Sequence, residues 1–382
     1  MNWRTDDQNS HLMSHINWTA LVEYAVNLRA NRCMELTSTG TCLIHPSYHM
    51  GGLHLVRALE FKDGTKWVAR IQQQSTSSSE KRLMHEVHSL SLLRSRTKIP
   101  VPEVFGYETN QNIIGRPFMI MELIPGSTSM DACGGWEVHR GKIPARYKTD
   151  FSRRIAEIHV AMTGIRFSKI GRVVRRDDGS YDIDAIPGLG GPFDTASDYF
   201  VAWSNAVKHP MKESEVRARS PGHLHDEILR SHKYFPRKIL ANLHKMTIRN
   251  EGPFPLFHPD FRHSNVIIDS DYKILSVIDW ENAGTVPWEI VEFPLFLGDV
   301  PQPMDSPANY DAKGNPIDEE TRVLRKERND YVQSVRSIEK EKGSDNSLST
   351  ILASPNTQNI ATSLRLYEDG KIGLYCRILD EL

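Results

Sequence analysis

The stretch Leu256–Glu281, LFHPDFRHSNVIIDSDYKILSVIDWE, constrains this chain more than any other. Two short apolar runs, Val266–Ile268 and Ile274–Ile278, flank a polar turn, so the segment reads as a pair of β-strands. Around them stand His258, Asp260, Asn265 and Asp279 in a fixed order. A fold that holds this hairpin must present one carboxylate before it, an amide where its first strand begins, and a second carboxylate where it ends. The first carboxylate can orient and deprotonate a hydroxyl. The amide oxygen and the second carboxylate can hold divalent cations. Phosphoryl transfer with magnesium requires that combination.

Composition supports an ordinary globular chain. Hydrophobic residues make up 39% of its 382 residues and charged residues 25%, enough for one large or two medium cores. A net charge of −1 gives no footprint for nucleic acid or for an anionic membrane. Cys33, Cys42, Cys133 and Cys376 are scattered without a CxxC pair, which points to free thiols in a reducing compartment. No apolar run reaches the length of a spanning helix. The opening MNWRTDDQNSHLMSH has no apolar core and carries Asp6 and Asp7, arguing against a secretory or transit peptide. The expected location is the cytoplasm, with the mitochondrion left open. Asn17-Trp18-Thr19 fits a glycosylation sequon that a cytosolic chain would not use.

Along the chain, Trp18–Asn31 has helical periodicity. His54–Phe61 and Lys66–Ile71 read as strands around an Asp63-Gly64 turn. Gln72–Glu80 reads as a polar loop, and Glu80–Ser95 as a helix with Leu83, Val87 and Leu90 on one face. Val104–Tyr107 and Pro117–Ile124 follow as strands. Strands, one helix, then strands suggest an antiparallel sheet with a single packed helix. After that the chain turns helical, over Tyr147–Met162, Asp198–Val207, Leu224–Met246 and Ile317–Lys342. Gly171–Asp194 reads as a long loop, and Pro301–Pro316 as irregular.

At this point the residues resemble a family. HPDFRHSNVIID and VIDWE resemble the catalytic segment of aminoglycoside phosphotransferase-like enzymes, in particular their fungal branch. KWVARI, the helix containing Glu86, IPVPEVFGY, RPFMIMELIPG, IAEIH and GPFDTASDYF follow in the matching order. The resemblance implies a two-lobed, protein-kinase-like α+β fold. It would have a small antiparallel β lobe with one helix and a larger, mainly helical C-terminal lobe, with ATP in the cleft between them. The expected divisions are an N-terminal helical extension over 1–40, a nucleotide-binding lobe over 41–124, a catalytic lobe over 125–300 and an extension of that lobe over 301–382.

The resemblance also assigns roles. Asp260 would be the catalytic base or the group that orients the acceptor hydroxyl. Asn265 and Asp279 would hold Mg2+, with Glu281 a possible further ligand. Arg262 sits where protein kinases carry a lysine that touches the transferring phosphate, and a planar guanidinium suits that contact. Arg70, in KWVARI, would meet the α- and β-phosphates, with Glu86 as its ion-pair partner. Gly51 and Gly52 would begin the phosphate-covering turn. Backbone groups at Glu122 and Ile124 would bind adenine, although sequence does not separate ATP from GTP. His258 would hold the loop rather than react. The acceptor would be a small-molecule hydroxyl. Glu281, Glu289, Glu292 and Asp299 suggest an acidic wall for a cationic acceptor, and Trp203, Trp288 and Tyr199 are candidates to line its pocket or to pack the core.

Two rival readings stand beside this one. A nucleotide-binding pseudokinase with a regulatory or scaffolding role would explain the incomplete glycine loop. A metallohydrolase would use His258, Asp260, His263 and Asp279 as ligands.

Overall fold

The computed structural model describes residues 10–32 and 41–382, the side chains of Ser10 and His11 excepted. The backbone clusters into two compact units, each built from separate stretches of chain. The first takes the described residues up to Tyr147 with Val173–Tyr181 and His263–Ala283. The second takes Lys148–Arg172, Asp182–Arg262 and Gly284–Leu382. The division falls inside the Leu256–Glu281 segment. Asp260 and Arg262 therefore belong to the second unit, and Asn265 and Asp279 to the first.

The first unit is built on a five-stranded antiparallel sheet. Its strands are β1 (Cys42–Met50), β2 (His54–Phe61), β3 (Lys66–Gln72), β4 (Val104–Glu108) and β5 (Phe118–Glu122), in the order β1-β2-β3-β5-β4. β1 was not legible from sequence. Pro46 interrupts its alternation, and its pairing with β2 shifts between Ile44 and Tyr48. The β2–β3 turn is closed by the Gly64 amide on the Phe61 carbonyl (2.8 Å), with Gly64 at φ +84°.

Strand alternation assigns the two faces of this sheet. Trp67, Ala69 and Ile71 of β3, with Phe118 and Ile120 of β5, pack with Leu21 and Ala25 of the helix Trp18–Arg32. Val68 of β3, with Met119 and Met121 of β5, meets Leu83 and Val87 of the helix Ser77–Arg96. The sheet thus carries a helix on each face, where sequence suggested one. The second helix starts earlier than the expected Glu80. Thr76 caps it, its hydroxyl accepting from the Ser79 amide (3.1 Å) while Ser79 Oγ accepts from the Thr76 amide (2.8 Å). A second, three-stranded sheet in this unit joins Ile274–Val277, Val266–Ile268 and Ser127–Thr128.

The second unit is mainly helical. Phe200, Trp203, Phe235, Ile239, Tyr367 and Tyr375 belong to its main core. Trp203 and Trp288 are buried, and Tyr199 packs against this core, as expected of packing residues. The helix Glu319–Lys342 is capped by Asp318 on the Thr321 amide and ends at Gly343, φ +63°. Leu224–Met246 divides into His225–Ala241, with Pro236 inside it, and Leu243–Met246. Gly171–Asp194, whose Val173–Tyr181 stretch belongs to the first unit, is not all loop. It holds two short strands, Arg172–Arg175 and Tyr181–Asp184, which sequence missed because Gly, Asp and Arg mask so short a ladder. Cys42, Cys133 and Cys376 are free thiols, and Cys33 lies outside the described residues. No helix among the described residues is long and apolar enough to cross a membrane.

Candidate functional site

Within the first unit, a cavity of about 870 Å³ opens along one face of the sheet. Alternation delivers its apolar floor: Val56 from β2, Val68 from β3 and Met121 from β5. Ile267 and Ile278 line it from the other sheet. These apolar residues were not singled out from sequence. The strand period could have found them, because Val68 and Arg70 share a face.

Arg70 is buried at the polar end of this cavity and is surrounded by carboxylates. Its guanidinium is hydrogen-bonded and ion-paired to Glu86 and Asp279, and Glu281 Oε2 lies 3.7 Å away. Arg82 approaches Glu281 at 3.2 Å. Three carboxylates thus face two guanidinium groups. Burial pushes the Glu86 carboxyl up to about 7, with the Arg70 charge opposing and Asp279 and Glu281 adding to the rise. Glu86 Oε2 is buried without a hydrogen-bond partner. Asp279 differs from its neighbours in exposure: its side chain is 41% exposed, against 1% for Glu86 and 5% for Glu281. It is therefore the carboxylate of this cluster that a cation entering from the cavity would meet. Its backbone sits at φ +63°, a left-handed conformation that aspartate tolerates better than most residues.

Hairpin register brings Asn265 to the same end. Val266 pairs with Val277, and the Ile278 amide donates to the Asn265 carbonyl at 2.9 Å. Asp279 follows directly. The strand containing Val266 is held from its other side, where Ser129 donates its amide to the Val266 carbonyl (2.8 Å) and its hydroxyl to the His263 carbonyl (2.7 Å). The Tyr272 hydroxyl returns to the Ser129 carbonyl (2.8 Å). Asn265 and Asp279 offer the hard oxygen donors that magnesium prefers, beside the carboxylates gathered around Arg70. The donor set fits the ion.

Gly51 and Gly52 do not precede the first strand. They turn β1 into β2, and the Gly51 amide donates to the His54 carbonyl at 3.0 Å. Neither has a left-handed φ. A Cβ on Gly51 would meet nothing closer than 3.8 Å, and one on Gly52 nothing within 4 Å. The fold itself does not demand glycine there, so the space they leave is available to a ligand. Glu122 and Ile124 line the cavity, but the Glu122 amide already donates to the Glu103 carbonyl at 2.8 Å. Any contact from Glu122 to a base must come through its carbonyl.

His54, which sequence reasoning passed over, lines the cavity against Arg70. With Glu86 and Glu281 it forms the one group of three possible metal ligands drawn together among the described residues. Its tautomer argues against a metal. Arg70 Nη2 lies 3.1 Å from His54 Nδ1, and a guanidinium only donates. Nδ1 must therefore accept, which leaves the proton on Nε2, 3.5 Å from Glu281 Oε2. Burial, then the Arg70 charge, drives the His54 pKa far below its ordinary value.

In the second unit, Asp260 and Arg262 are ion-paired with each other. The Asp260 amide donates to His258 Nδ1 at 3.2 Å, and His258 is fully buried. This acceptor role at Nδ1 places the His258 proton on Nε2, which suits a structural histidine better than a metal ligand. The expected acidic wall is not available. Glu289 is buried and accepts from the Arg249 amide (2.8 Å), Glu292 pairs with Arg365 (2.5 Å), and Asp299 pairs with Arg325 (3.0 Å).

The five-stranded antiparallel sheet of the first unit and the mainly helical second unit are those of a protein-kinase-like fold. The particular family then follows. The chain belongs to the phosphotransferase enzyme family, whose model matches residues 51–288. The solved structure of a candidate aminoglycoside phosphotransferase from Ralstonia eutropha JMP134 is similar over 92% of this chain and 86% of its own, at 14% identity and a TM-score of 0.53. At that identity the likeness speaks to the fold alone. Two curated Aspergillus fumigatus proteins, each named a subtelomeric hrmA-associated cluster protein, match shorter stretches. One is 28% identical over 129 residues, 34% of this chain and 24% of the relative. The other is 34% identical over 79 residues, 20% of this chain and 16% of the relative. The chain therefore spans at most about a quarter of the length of these relatives.

Proposed function

We propose that this protein transfers the γ-phosphate of ATP to a hydroxyl of a small-molecule acceptor. The observation that carries the reading is the Arg70 cluster. A basic strand residue fixed by a buried glutamate, with a cavity-exposed aspartate and an amide beside it, is the equipment for gripping a nucleoside triphosphate with its metal.

In this reading the apolar floor, with Val56, Val68, Met121, Ile267 and Ile278, takes the base. Gly51 and Gly52 leave room for backbone to approach the phosphates. Arg70 turns from Asp279 toward the α- and β-phosphates while Glu86 keeps it in place. Asn265 and Asp279 would hold magnesium, which would supply charge neutralisation at the leaving oxygen. Asp260 orients the acceptor hydroxyl and receives its proton. The acceptor oxygen bonds to the γ-phosphorus, the bond to the β–γ bridging oxygen breaks, and the nucleoside diphosphate leaves. Arg262 pairs with Asp260 through Oδ1, so the acceptor's proton is received at Oδ2, and its guanidinium lies beside the catalytic carboxylate where it can follow the transferring phosphate.

One observation favours the pseudokinase reading instead. Asp279 and Asp260 are both engaged by arginines, as a site retained only for binding could be. An ATP-consumption screen over hydroxylated amines, sugars, amino alcohols and protein hydroxyls, with Asp260→Asn as control, decides between them. Turnover that vanishes in Asp260→Asn while nucleotide still binds supports the kinase. Nucleotide binding with no turnover on any acceptor supports the scaffold.

A further inference from the structure

A second cavity, of about 610 Å³, lies wholly within the second unit. One wall is a face of the helix Glu319–Lys342, where Arg325, Arg328, Val332 and Arg336 recur at three- and four-residue spacing. The opposite wall is the first turn of the helix Pro355–Glu368, with Asn356, Gln358 and Asn359.

The charges on these walls are unequal. Arg325 is matched by Asp299. Arg328 lies over the Phe293 ring, 4.0 Å from its centroid, and donates to the Leu297 carbonyl at 3.0 Å. Among the described residues, neither Arg328 nor Arg336 has a carboxylate within ion-pair distance. Glu381 is the other carboxylate on the lining. The Pro355–Glu368 helix adds the positive end of its dipole.

Gln358 supplies an independent sign of a ligand. Its side chain is 3% exposed. Its amide nitrogen donates to the carbonyls of Val291 (2.9 Å) and Ile351 (3.3 Å), which fixes the orientation of the group, because a flipped amide would set oxygen against oxygen. The remaining oxygen, Oε1, is buried with no partner. Gln358 lines the cavity, and a side-chain shift that uncovers this closed-off oxygen would let the cavity's occupant supply the missing donor.

We infer that this cavity binds a hydroxylated anion, a sugar acid or sugar phosphate, whose hydroxyl donates to Gln358 Oε1 and whose charged group lies between Arg328 and Arg336. None of Asp260, Arg262 and Phe261 lines the cavity, so the site is separate from the catalytic loop. It is nonetheless tied to that loop. Arg328 holds the Leu297 carbonyl, and the Leu295 amide donates to the Phe261 carbonyl at 2.8 Å, one residue after Asp260. An occupant that anchors Arg328 therefore steadies the segment on which the Asp260 loop rests.

Isothermal titration of the full chain without nucleotide tests this, using gluconate and glucose 6-phosphate as probes, with glucose and choline as controls. At least one anionic probe binds, glucose and choline bind far more weakly, and Arg336→Gln weakens the anion about tenfold or more. Asn359→Asp, which sets a carboxylate on the facing wall, weakens it as well, whereas Asp260→Asn leaves it unchanged. Gluconate alone would assign carboxylates, and glucose 6-phosphate alone would assign phosphate esters. Binding by neither anion, or anion binding indifferent to both Arg336→Gln and Asn359→Asp, overturns the inference. Because no nucleotide is present, that failure is distinct from a failure of the phosphotransfer reading.

Discussion

Replacing Arg70 by methionine removes the cation on which three carboxylates converge. At an effective dielectric of about 20, opposite charges at the 3.7 Å separating Arg70 from Glu281 attract by about 4.5 kcal/mol, and Glu86 and Asp279 lie nearer. Desolvation has already consumed most of that gain. The net cost of the variant is therefore that of stranding buried carboxylates, about 3–5 kcal/mol. Its pH dependence identifies the cause. Burial already holds Glu86 above its ordinary value, and losing Arg70 raises it further. In the window between the unfolded and the folded carboxyl pKa the native variant then binds more protons than the unfolded chain. Stability accordingly recovers as pH falls, by about 1.4 kcal/mol per pH unit for each carboxylate. Urea denaturation at pH 8 and pH 5.5, with EDTA present, measures this, and hydrogen exchange along Ser77–Arg96 locates it. A loss below about 1 kcal/mol, or an equal loss at both pH values, would refute the account.

Further expectations concern other sites. Asp279→Asn leaves the fold intact, because this side chain is 41% exposed, and weakens Mg·ATP binding much more than metal-free ATP binding, as read by titration calorimetry. Gly126→Ala costs about 1–3 kcal/mol in urea denaturation, since a Cβ there collides with the Ile268 carbonyl and the Ile267 side chain. His159 is fully buried between Phe261 and Tyr331, and burial depresses its pKa to about 3. The unfolded chain then binds more protons between about pH 3 and 6.5, so stability is lost as pH falls below 6.5. His159→Gln flattens that slope by about 1.4 kcal/mol per pH unit, and unchanged denaturation curves from pH 7 to pH 5 would contradict it.

How much of this was legible beforehand depended on the range of the interaction. The hairpin that separates Asn265 from Asp279 was readable because its pairing is local, with Val266 meeting Val277 a short way along the chain. β2 and β3 were readable from clean alternation, whereas Pro46 hid β1. The first turn of the Ser77–Arg96 helix has a serine-rich start that is polar like a loop, although Thr76 and Ser79 form a capping box. The acidic wall failed for a different reason. Glu289, Glu292 and Asp299 look available in a linear reading, yet each is met by the Arg249 backbone or by an arginine distant in sequence.

Read as a string of residues, the chain carries the order of polar groups around the Leu256–Glu281 hairpin and the resemblance to a phosphotransferase family. Periodicity and short-range spacing survive in one dimension, and those features use nothing else. Tertiary structure alone decided which carboxylates are spent and which face open space. It drew Glu86, Asp279 and Glu281 around Arg70, left Asp279 the exposed member, and set Arg328, Arg336 and the orphaned Gln358 oxygen around one cavity. Burial and partner choice depend on contacts across the fold, and no local pattern encodes them.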